Sequence, residues 1–275
     1  MENKILILSD VHLCHLILGG WDSARRMENL VENLNAQMPC KAAFFLGDYS
    51  LDHWAWNEKG SWLEHGINNT ENFVRDYASR LEMPYYMIPG NHEQYGNETW
   101  KRITGRPRQF SQITGGYLFI LCDNYSGNLD PDFHSDGTYT PTDLAFVREE
   151  LAKHPHIPVV LCAHFFDLTK EPAEFFEFLK SEKRITLLVE GHDHLVKVTE
   201  LEEADGLCIY HDGHYSHSGT KVLKDLMWGF CAATLTEDGI DIRYISPANQ
   251  VTPGGEFFDH PYEELCHRFF KRRDI

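Results

Sequence analysis

Short apolar runs constrain the fold of this chain more than any other feature of its sequence. Six of them are four to six residues long and rich in Ile, Leu, Val and Phe: Lys4–Ser9, Ala42–Leu46, Tyr85–Ile88, Tyr117–Cys122, Val159–Ala163 and Thr186–Val189. Because they do not alternate with polar residues, they are typical of strands that are covered on both faces. Three later runs alternate more, at Leu207–Tyr210, Trp228–Leu235 and Ile240–Ile245. Asp238-Gly239 between the last two predicts a hairpin turn.

Helical patterns fill the intervals between the early runs. The predicted helices are Ala24–Gln37 with Asp22 as cap, Glu71–Leu81 with Thr70 as cap, a helix opened by Thr140-Pro141 and continuing to Lys153, and Ala173–Lys180. Strands in the middle with helices outside indicate a mixed α/β layered fold. Since no repeat or linker interrupts the pattern, we expect a single domain over 1–275, in which 246–275 is a packed C-terminal extension or a lid.

The charge balance excludes several classes of partner. The 275 residues carry 25 Lys and Arg against 42 Asp and Glu, a net charge of -17. Such a surface repels phosphate polymers and anionic bilayers, so we expect neither a nucleic acid polymer nor a membrane as partner. The seven Cys are scattered and form no CxxC pair. That usage, with no apolar run long enough to span a bilayer and no signal peptide pattern, favours a reduced cytoplasmic location.

Five of the runs end in side chains that can bind a metal. The ends are Asp10-Val11-His12, Gly47-Asp48, Gly90-Asn91-His92-Glu93, His164, and Gly191-His192-Asp193-His194. The carboxyl ends of strands in α/β sheets converge on a ligand crevice, and residues i and i+2 of an extended chain face the same side. Each block alone has an ordinary explanation as a core or surface residue. The ordered set of five, each at a strand end, predicts a metal site.

This ordered set resembles the calcineurin-like metallophosphoesterases, whose pattern is DxH, GD, GNH[DE], a lone His and GHxH. All five blocks are present in that order between residues 10 and 194. The resemblance implies a four-layer α/β/β/α sandwich with a mixed central sheet pair. It also implies a centre of two metal ions at the strand ends.

The resemblance assigns a role to each residue of the pattern. One ion would be bound by Asp10, His12 and His194, and the other by Asn91, His164 and His192. Asp48 would bridge the two ions. His92 would not be a ligand but would act beside the phosphate, protonating the leaving oxygen or stabilising the transition state. Asn91 and His92 would contact the substrate, and Glu93 would support the site.

The residue types also fit this chemistry when the family resemblance is set aside. Imidazole and carboxylate ligands suit divalent Mn, Fe or Zn, and one carboxylate has enough lone pairs to bridge two ions. Two such cations about 4 Å apart would supply a metal-bridging hydroxide for attack on a small phosphomonoester or phosphodiester. They would also explain how so acidic a protein binds an anion. Histidine is suited to protonate the leaving group near neutral pH.

The subgroup within the family is indicated by the residues around the motifs. The protein serine/threonine phosphatase branch is disfavoured, because no Arg follows Asp48 in Tyr49–His53. Residues 117–124, Gly137 and the following helix resemble the cyclic-nucleotide phosphodiesterase-like branch. Ala163 and Phe165-Phe166, however, depart from the His-His-Pro that surrounds the lone His in many relatives.

Several further segments admit two interpretations. The aromatic residues between His53 and Trp62 would form either a wall for a flat leaving group or a hydrophobic plug. The basic residues Lys101, Arg102, Arg106 and Arg108 would either meet substrate phosphate or lie in a solvated loop. His211, His214 and His217 would line the site mouth or bind a third metal. Cys14 and His15 would pack near the site rather than act as a nucleophile.

Two other functions compete with a small-molecule phosphoesterase. A non-catalytic scaffold of the same fold would be expected to lose ligands or the proton donor, and this sequence keeps all of them. A metal-dependent nuclease would have to bind a polyanion with a strongly acidic surface.

Overall fold

The computed structural model describes residues 3–13, 23–51, 66–129, 136–216, 228–251, 257–259 and 262–274. In this part of the chain two six-stranded mixed sheets and five α-helices form the α/β fold predicted from the sequence. The helices are α1 (Ser23–Asn35), α2 (Asn69–Asp76), α3 (Asn97–Thr104), α4 (Leu144–Lys153) and α5 (Ala173–Ser181).

The first sheet has the order β14-β11-β10-β1-β2-β3. Its strands are β1 (Lys4–Leu8), β2 (Ala43–Phe45), β3 (Tyr85–Met87), β10 (Phe230–Leu235), β11 (Gly239–Ser246) and β14 (Glu263–Lys271). The first three are parallel to one another, whereas β10, β11 and β14 join antiparallel. The hairpin predicted between β10 and β11 is present, and Thr236 N donates to Gly239 O across it at 2.9 Å.

The second sheet has the order β4-β5-β6-β7-β9-β8. Its strands are β4 (Phe110–Thr114), β5 (Tyr117–Leu121), β6 (Val159–Cys162), β7 (Ile185–Glu190), β8 (Val196–Leu201) and β9 (Leu207–Asp212). The four strands β5, β6, β7 and β9 run parallel, so their carboxyl ends lie at one edge. A separate pair is formed by β12 (Asn249–Val251) and β13 (Phe257–Asp259).

Three apolar clusters separate four layers. On β1, Leu6 and Leu8 pack toward the layer of α1, α2 and α3, whereas Ile5 and Ile7 pack between the two sheets. On the other side of the second sheet, a third cluster packs the strands against α4 and α5. Both faces of the central strands are therefore buried, which is why their sequences do not alternate. Burying each such aliphatic side chain contributes roughly 1.5–3 kcal/mol.

The second helix begins and ends differently from the prediction. It covers Asn69–Asp76 and is capped by Asn68, whose Oδ1 accepts a hydrogen bond from Glu71 N at 2.8 Å. Thr70 is not the cap, because its hydroxyl lies 3.0 Å from the Tyr95 hydroxyl in the core. A separate 3₁₀ turn at Ala78–Arg80 follows, so the helix predicted to Leu81 is interrupted.

The start of α4 also corrects the sequence interpretation. The helix begins at Leu144 rather than at Thr140-Pro141, with Asp143 as its cap. Asp143 Oδ1 accepts from Phe146 N at 3.0 Å. Thr142 N instead donates to Glu171, which holds the preceding residues outside the helix. The cap predicted at Asp22 lies outside the described residues.

The C-terminal segment contains regular structure that its composition did not indicate. Residues 263–271 form β14 at the edge of the first sheet, paired with β11 over most of its length. The expectation of a packed extension or a lid over 246–275 stays a prediction. Within the described residues, no helix is both long enough and apolar enough to cross a bilayer.

Candidate metal centre

The strand ends bring the seven predicted ligands to one place. The motifs after β1, β2 and β3 leave the first sheet at the same edge, since Leu8 pairs with Phe45 and Phe45 with Met87 in parallel register. The lone His and the GHxH block leave the facing edge of the second sheet after β6 and β7. Backbone hydrogen bonds from Asp10 N to Gly47 O and from Gly191 N to His164 O tie neighbouring motifs together.

A first group of potential ligands is formed by Asp10, His12 and His194. Asp10 Oδ1 lies 3.1 Å from His194 Nε2 and 3.4 Å from His12 Nε2. The ligand atoms of the three residues lie within 4.8 Å of one another. Asp10 is fully buried, so the pair of imidazoles is the main solvent boundary of this group.

A second group is formed by Asn91, His164 and His192. His164 Nε2 lies 2.9 Å from Asn91 Oδ1, and His192 Nδ1 lies 3.0 Å from the same oxygen. The two imidazole nitrogens are 3.2 Å apart. His164 Nδ1 donates to Leu46 O at 2.7 Å, because a carbonyl can only accept. Nε2 is thus the ring nitrogen directed toward the other two ligand atoms.

Asp48 lies between the two groups. Its Oδ2 is 3.2 Å from His164 Nε2 in the second group and 3.8 Å from His12 Nε2 in the first. His92 Nε2 is 3.7 Å from the same oxygen. The other carboxylate oxygen, Oδ1, accepts from the backbone N–H of His92 at 3.1 Å. One carboxylate therefore touches both groups and the predicted proton donor.

The contacts within these groups have the spacing of ligands around metal ions. His12 Nε2 is buried and has no hydrogen-bond partner. Ligand atoms about 2.1 Å from one ion lie roughly 3.0 Å apart at right angles and roughly 3.4 Å apart at tetrahedral angles. The separations between the nitrogen and oxygen atoms of the two groups, from 2.9 to 3.4 Å, have this size. The residues present therefore fit divalent metal ions.

The charges of the site act strongly on one another. Burial opposes ionisation of Asp48, yet His164 and His92 hold the pKa of its carboxyl below the usual range. Burial also opposes a charged His164, but Asp48 raises the pKa of that imidazole to about 10. Burial and the neighbouring His164 lower the pKa of His192. The site thus gathers negative charge at the carboxylates and keeps at least one imidazole ready to bind as a neutral ligand.

The backbone at the ligands is strained. Asp10, His12, Asp48, His192 and His194 all have positive φ, between 47° and 68°. Only two other non-glycine residues in the described part of the chain, Asp205 and Cys266, share this conformation. A left-handed backbone is unfavourable for residues with a Cβ and is concentrated at functional sites, where the surrounding structure maintains it.

Comparison with known proteins decides the family. A family model described as calcineurin-like phosphoesterase matches residues 3–196, well over half of the chain. The chain belongs to the calcineurin-like phosphoesterase family. No curated protein matches the sequence.

Several solved structures are similar to this chain at low sequence identity. PhoD is 12% identical with a TM-score of 0.57, and the alignment covers 96% of this chain and 71% of PhoD. Vps29 from Chaetomium thermophilum is 10% identical, with a TM-score of 0.43 and coverage of 99% and 98%. A predicted phosphoesterase from Streptococcus pneumoniae TIGR4 is 13% identical, with a TM-score of 0.38 and coverage of 98% and 99%. The likeness to PhoD supports the sandwich fold.

Glycines of the family pattern let the ligand loops approach one another. A Cβ added to Gly90 would overlap Asp48 Oδ1 and lie 2.7 Å from Asp48 N. A Cβ added to Gly191 would overlap the Ser9 hydroxyl and lie 2.8 Å from Asp10 Oδ2. In both cases the added atom would displace a carboxylate of the centre rather than the end of a flexible surface chain.

Replacing Gly90 with alanine should therefore damage the centre and the fold together. We expect a loss of about 1–3 kcal/mol in the free energy of unfolding, because overpacking forces the neighbouring backbone to shift. Bound metal should also decrease, since Asp48 is displaced. Gly96→Ala is the control, because nothing lies within 4 Å of a Cβ there; its cost should be below about 1 kcal/mol. Urea unfolding and elemental analysis measure both effects, and equal behaviour of the two variants would contradict this account.

Glu93 holds the loop that carries Asp48. Its Oε2 accepts from the backbone N–H groups of Asp48 and Gly90, both at 2.8 Å, and its Oε1 accepts from Tyr49 N at 2.9 Å. Burial and the Asp48 carboxylate raise the pKa of Glu93 to about 8. The side chain joins two ligand loops without contacting a ligand atom, which agrees with a supporting role.

A buried ion pair behind the GNHE block was not identified from the sequence. Arg108 Nε lies 2.6 Å from Asp123 Oδ2, and its Nη1 donates to Glu93 O at 3.0 Å and Tyr95 O at 2.9 Å. Arg108 thus neither meets substrate phosphate nor lies in a solvated loop. The segment before it is helix α3, where Arg102 pairs with Glu71. Arg106 stacks on Tyr86 at 4.7 Å.

Two buried contacts support the ligands of the first group. The Ser9 hydroxyl is within hydrogen-bond reach of Asp10 Oδ2 and lies 2.7 Å from Asp212 Oδ1. Burial and the proximity of Asp10 raise the pKa of Asp212. Arg26 is also buried, and its Nη2 donates to Val11 O at 3.0 Å. Asp212 is 203 positions from Ser9 and Arg26 is 15 positions from Val11, so no local pattern in the sequence indicates these two residues.

His211 in β9 and His214 just after it are engaged within the protein. His211 Nδ1 lies 3.0 Å from Glu190 Oε1 and 3.1 Å from Asp193 Oδ2, and its Nε2 is 2.9 Å from Thr199 Oγ1. The His214 ring stacks on His194 at 4.9 Å. Neither belongs to a metal-competent group among the described residues. His217, Cys14, His15 and the aromatic residues between His53 and Trp62 lie outside the described residues.

Proposed function

We propose that this protein is a binuclear metal-dependent phosphoesterase that hydrolyses a small phosphomonoester or phosphodiester. One observation supports the proposal above all others. Seven ligand side chains from five separate strand ends converge with the spacing of ligands around neighbouring ions. The predicted proton donor, His92, lies against the carboxylate that links the two groups.

The ligand sets follow from the two groups. Asp10, His12 and His194 would hold one ion, and Asn91, His164 and His192 the other, with Asp48 shared. Mn, Fe and Zn all suit imidazole and carboxylate ligands. Two bound divalent ions would lower the pKa of a bound water and neutralise the phosphate charge.

The remaining side chains would orient the substrate and move a proton. The imidazole of His92 is buried at the site, 3.7 Å from Asp48 Oδ2 and 3.9 Å from Asp136 Oδ1. In the proposed reaction this imidazole would give a proton to a leaving alkoxide. The Asn91 carboxamide would contact the phosphate as well as an ion. The hydrogen bond from His92 N to Asp48 Oδ1 holds the proposed proton donor beside the shared ligand.

A substrate panel tests this proposal. Purified protein loaded with Mn should hydrolyse p-nitrophenyl phosphate or bis-p-nitrophenyl phosphate, and a chelator should abolish the activity. The panel continues with cyclic nucleotides, mononucleotides and lipid head groups, because the residues 117–124 resemble the cyclic-nucleotide phosphodiesterase-like branch. Protein that retains its metal but turns over no ester would favour the scaffold instead. Cleavage of plasmid or single-stranded DNA ahead of small esters would favour the nuclease.

The reduced cytoplasm remains our proposal for the location. The six cysteines in the described part of the chain are all free, at Cys40, Cys122, Cys162, Cys208, Cys231 and Cys266. Three of them are buried and serve as small core residues. Small soluble phosphate esters would be the partners there.

A further inference from the structure

The side chain of Tyr125 is placed at the edge of the centre. It follows the carboxyl end of β5, next to the strand that carries His164. Its ring centroid lies 5.7 Å from that of His164 and 6.0 Å from that of His192. Both histidines belong to the second group of ligands, so the phenol ring forms part of the wall beside that group.

The backbone of Tyr125 is held in place by the buried ion pair. Tyr125 N donates to Asp123 Oδ1 at 3.1 Å, and Tyr125 O accepts from Arg108 Nη2 at 3.4 Å. The ring also packs edge-on against Tyr139, with centroids 5.8 Å apart. Since only 6% of Tyr125 is exposed, the ring is fixed in one position.

The hydroxyl of Tyr125 differs from those of other buried tyrosines. In Tyr49, Tyr117, Tyr210, Tyr215 and Tyr244 the hydroxyl bonds to another part of the protein. That of Tyr125 has no such partner among the described residues. Its oxygen is not among the buried atoms that lack a partner, so it is accessible to solvent. An accessible hydroxyl on a ring beside His164 and His192 can donate to a ligand that binds at the second group.

A phosphate bound at this centre would need a hydrogen-bond donor near the Tyr125 hydroxyl. A tyrosine phenol is protonated near neutral pH, so it can donate a hydrogen bond. Two buried arginines are directed elsewhere: Arg26 donates to the carbonyls of Val11 and His12, and Arg108 pairs with Asp123. A phosphate group has non-bridging oxygens on the side away from the ions, and these need hydrogen-bond donors.

We propose that the Tyr125 hydroxyl donates a hydrogen bond to a non-bridging oxygen of the substrate phosphate. This inference rests on the proposed phosphoesterase function and adds a substrate-binding residue to it. The phenol would bind the phosphate through an uncharged hydroxyl. Among the described residues, no arginine is placed to bind it. Binding of the phosphate, rather than binding of the metal, would depend on it.

Tyr125→Phe in the full-length, Mn-loaded protein tests the proposal, with inorganic phosphate as competitive inhibitor and p-nitrophenyl phosphate as substrate. A hydrogen bond to a charged group should be lost, so we expect the inhibition constant of phosphate and the KM to rise about 10- to 100-fold. Metal content should stay unchanged. Tyr139→Phe is the matched control, because its hydroxyl donates to Glu171 Oε1 at 2.7 Å inside the protein.

The outcomes separate this inference from the function on which it rests. Weaker phosphate binding in Tyr125→Phe but not in Tyr139→Phe would support it. Unchanged phosphate inhibition in Tyr125→Phe, or equal weakening in both variants, would overturn it while leaving the phosphoesterase intact. If the wild-type protein itself neither bound phosphate nor hydrolysed any ester, the proposed function would fail first and this inference with it.

Discussion

Replacing Asp48 with alanine should remove both metal ions and abolish ester hydrolysis. Asp48 Oδ2 is the one carboxylate oxygen close to both groups, 3.2 Å from His164 and 3.8 Å from His12. Without it, the second group has no carboxylate and the first keeps only that of Asp10, so we expect neither to hold a divalent cation. The rate should fall by more than about 10⁴-fold, because all metal-assisted chemistry is lost. Elemental analysis of the purified variant measures the metal directly.

A second variant and a matched control separate metal loss from misfolding. Asp48 has a φ of 58°, a conformation that asparagine tolerates better than alanine, so Asp48→Asn should fold normally and still bind little metal. Asp205 has nearly the same φ, 57°, but is exposed and pairs with Lys180 and Lys183. Asp205→Ala should therefore keep its metal and its activity. A metal-replete, active Asp48→Asn protein would refute the shared ligand.

Replacing His92 with alanine should keep the metal and lose most of the rate. His92 contributes its backbone N–H to Asp48, and that bond survives the substitution. Its imidazole, however, is the proposed proton donor, so kcat should fall by about 10²- to 10⁴-fold. The loss should be larger for an alkyl phosphate than for p-nitrophenyl phosphate, because nitrophenolate departs without needing a proton. Steady-state kinetics on both esters measure the difference.

His156 offers the control for this experiment. It is an exposed histidine in the connection between α4 and β6, away from the strand ends that carry the ligands. His156→Ala should leave kcat unchanged on both esters. Normal turnover of His92→Ala would assign the proton transfer to another group, and a loss of metal in that variant would make His92 a ligand instead.

The sequence predicted the central layers because their physical signal is local. Strands such as β1 and β5 are buried on both faces, so their apolar runs are unbroken and their ends are marked by polar residues. The same signal placed Asp10, Asp48, Asn91, His164 and His192 at strand ends, and the parallel register brings these ends together. The family pattern added the sandwich architecture, which the fold confirms.

Other elements could not be predicted because their stability comes from distant contacts. Strand β14 has many exposed positions and gives no apolar run, yet it completes the edge of the first sheet. Strand β8 is also half-buried and polar, because it lies at an edge of the second sheet. Helix α3 is short, with Trp100 and Ile103 as its buried residues, and its position depends on packing against α2. In the sequence Arg108 resembles a surface cation, because its buried partner Asp123 is 15 residues away along the chain.

The most direct test of the whole account is anomalous diffraction from crystals of the Mn-loaded protein. We expect two Mn peaks about 4 Å apart, one within bonding distance of Asp10, His12 and His194 and the other of Asn91, His164 and His192, with Asp48 touching both. A single peak, peaks elsewhere in the molecule, or no bound metal at millimolar Mn would contradict the binuclear centre.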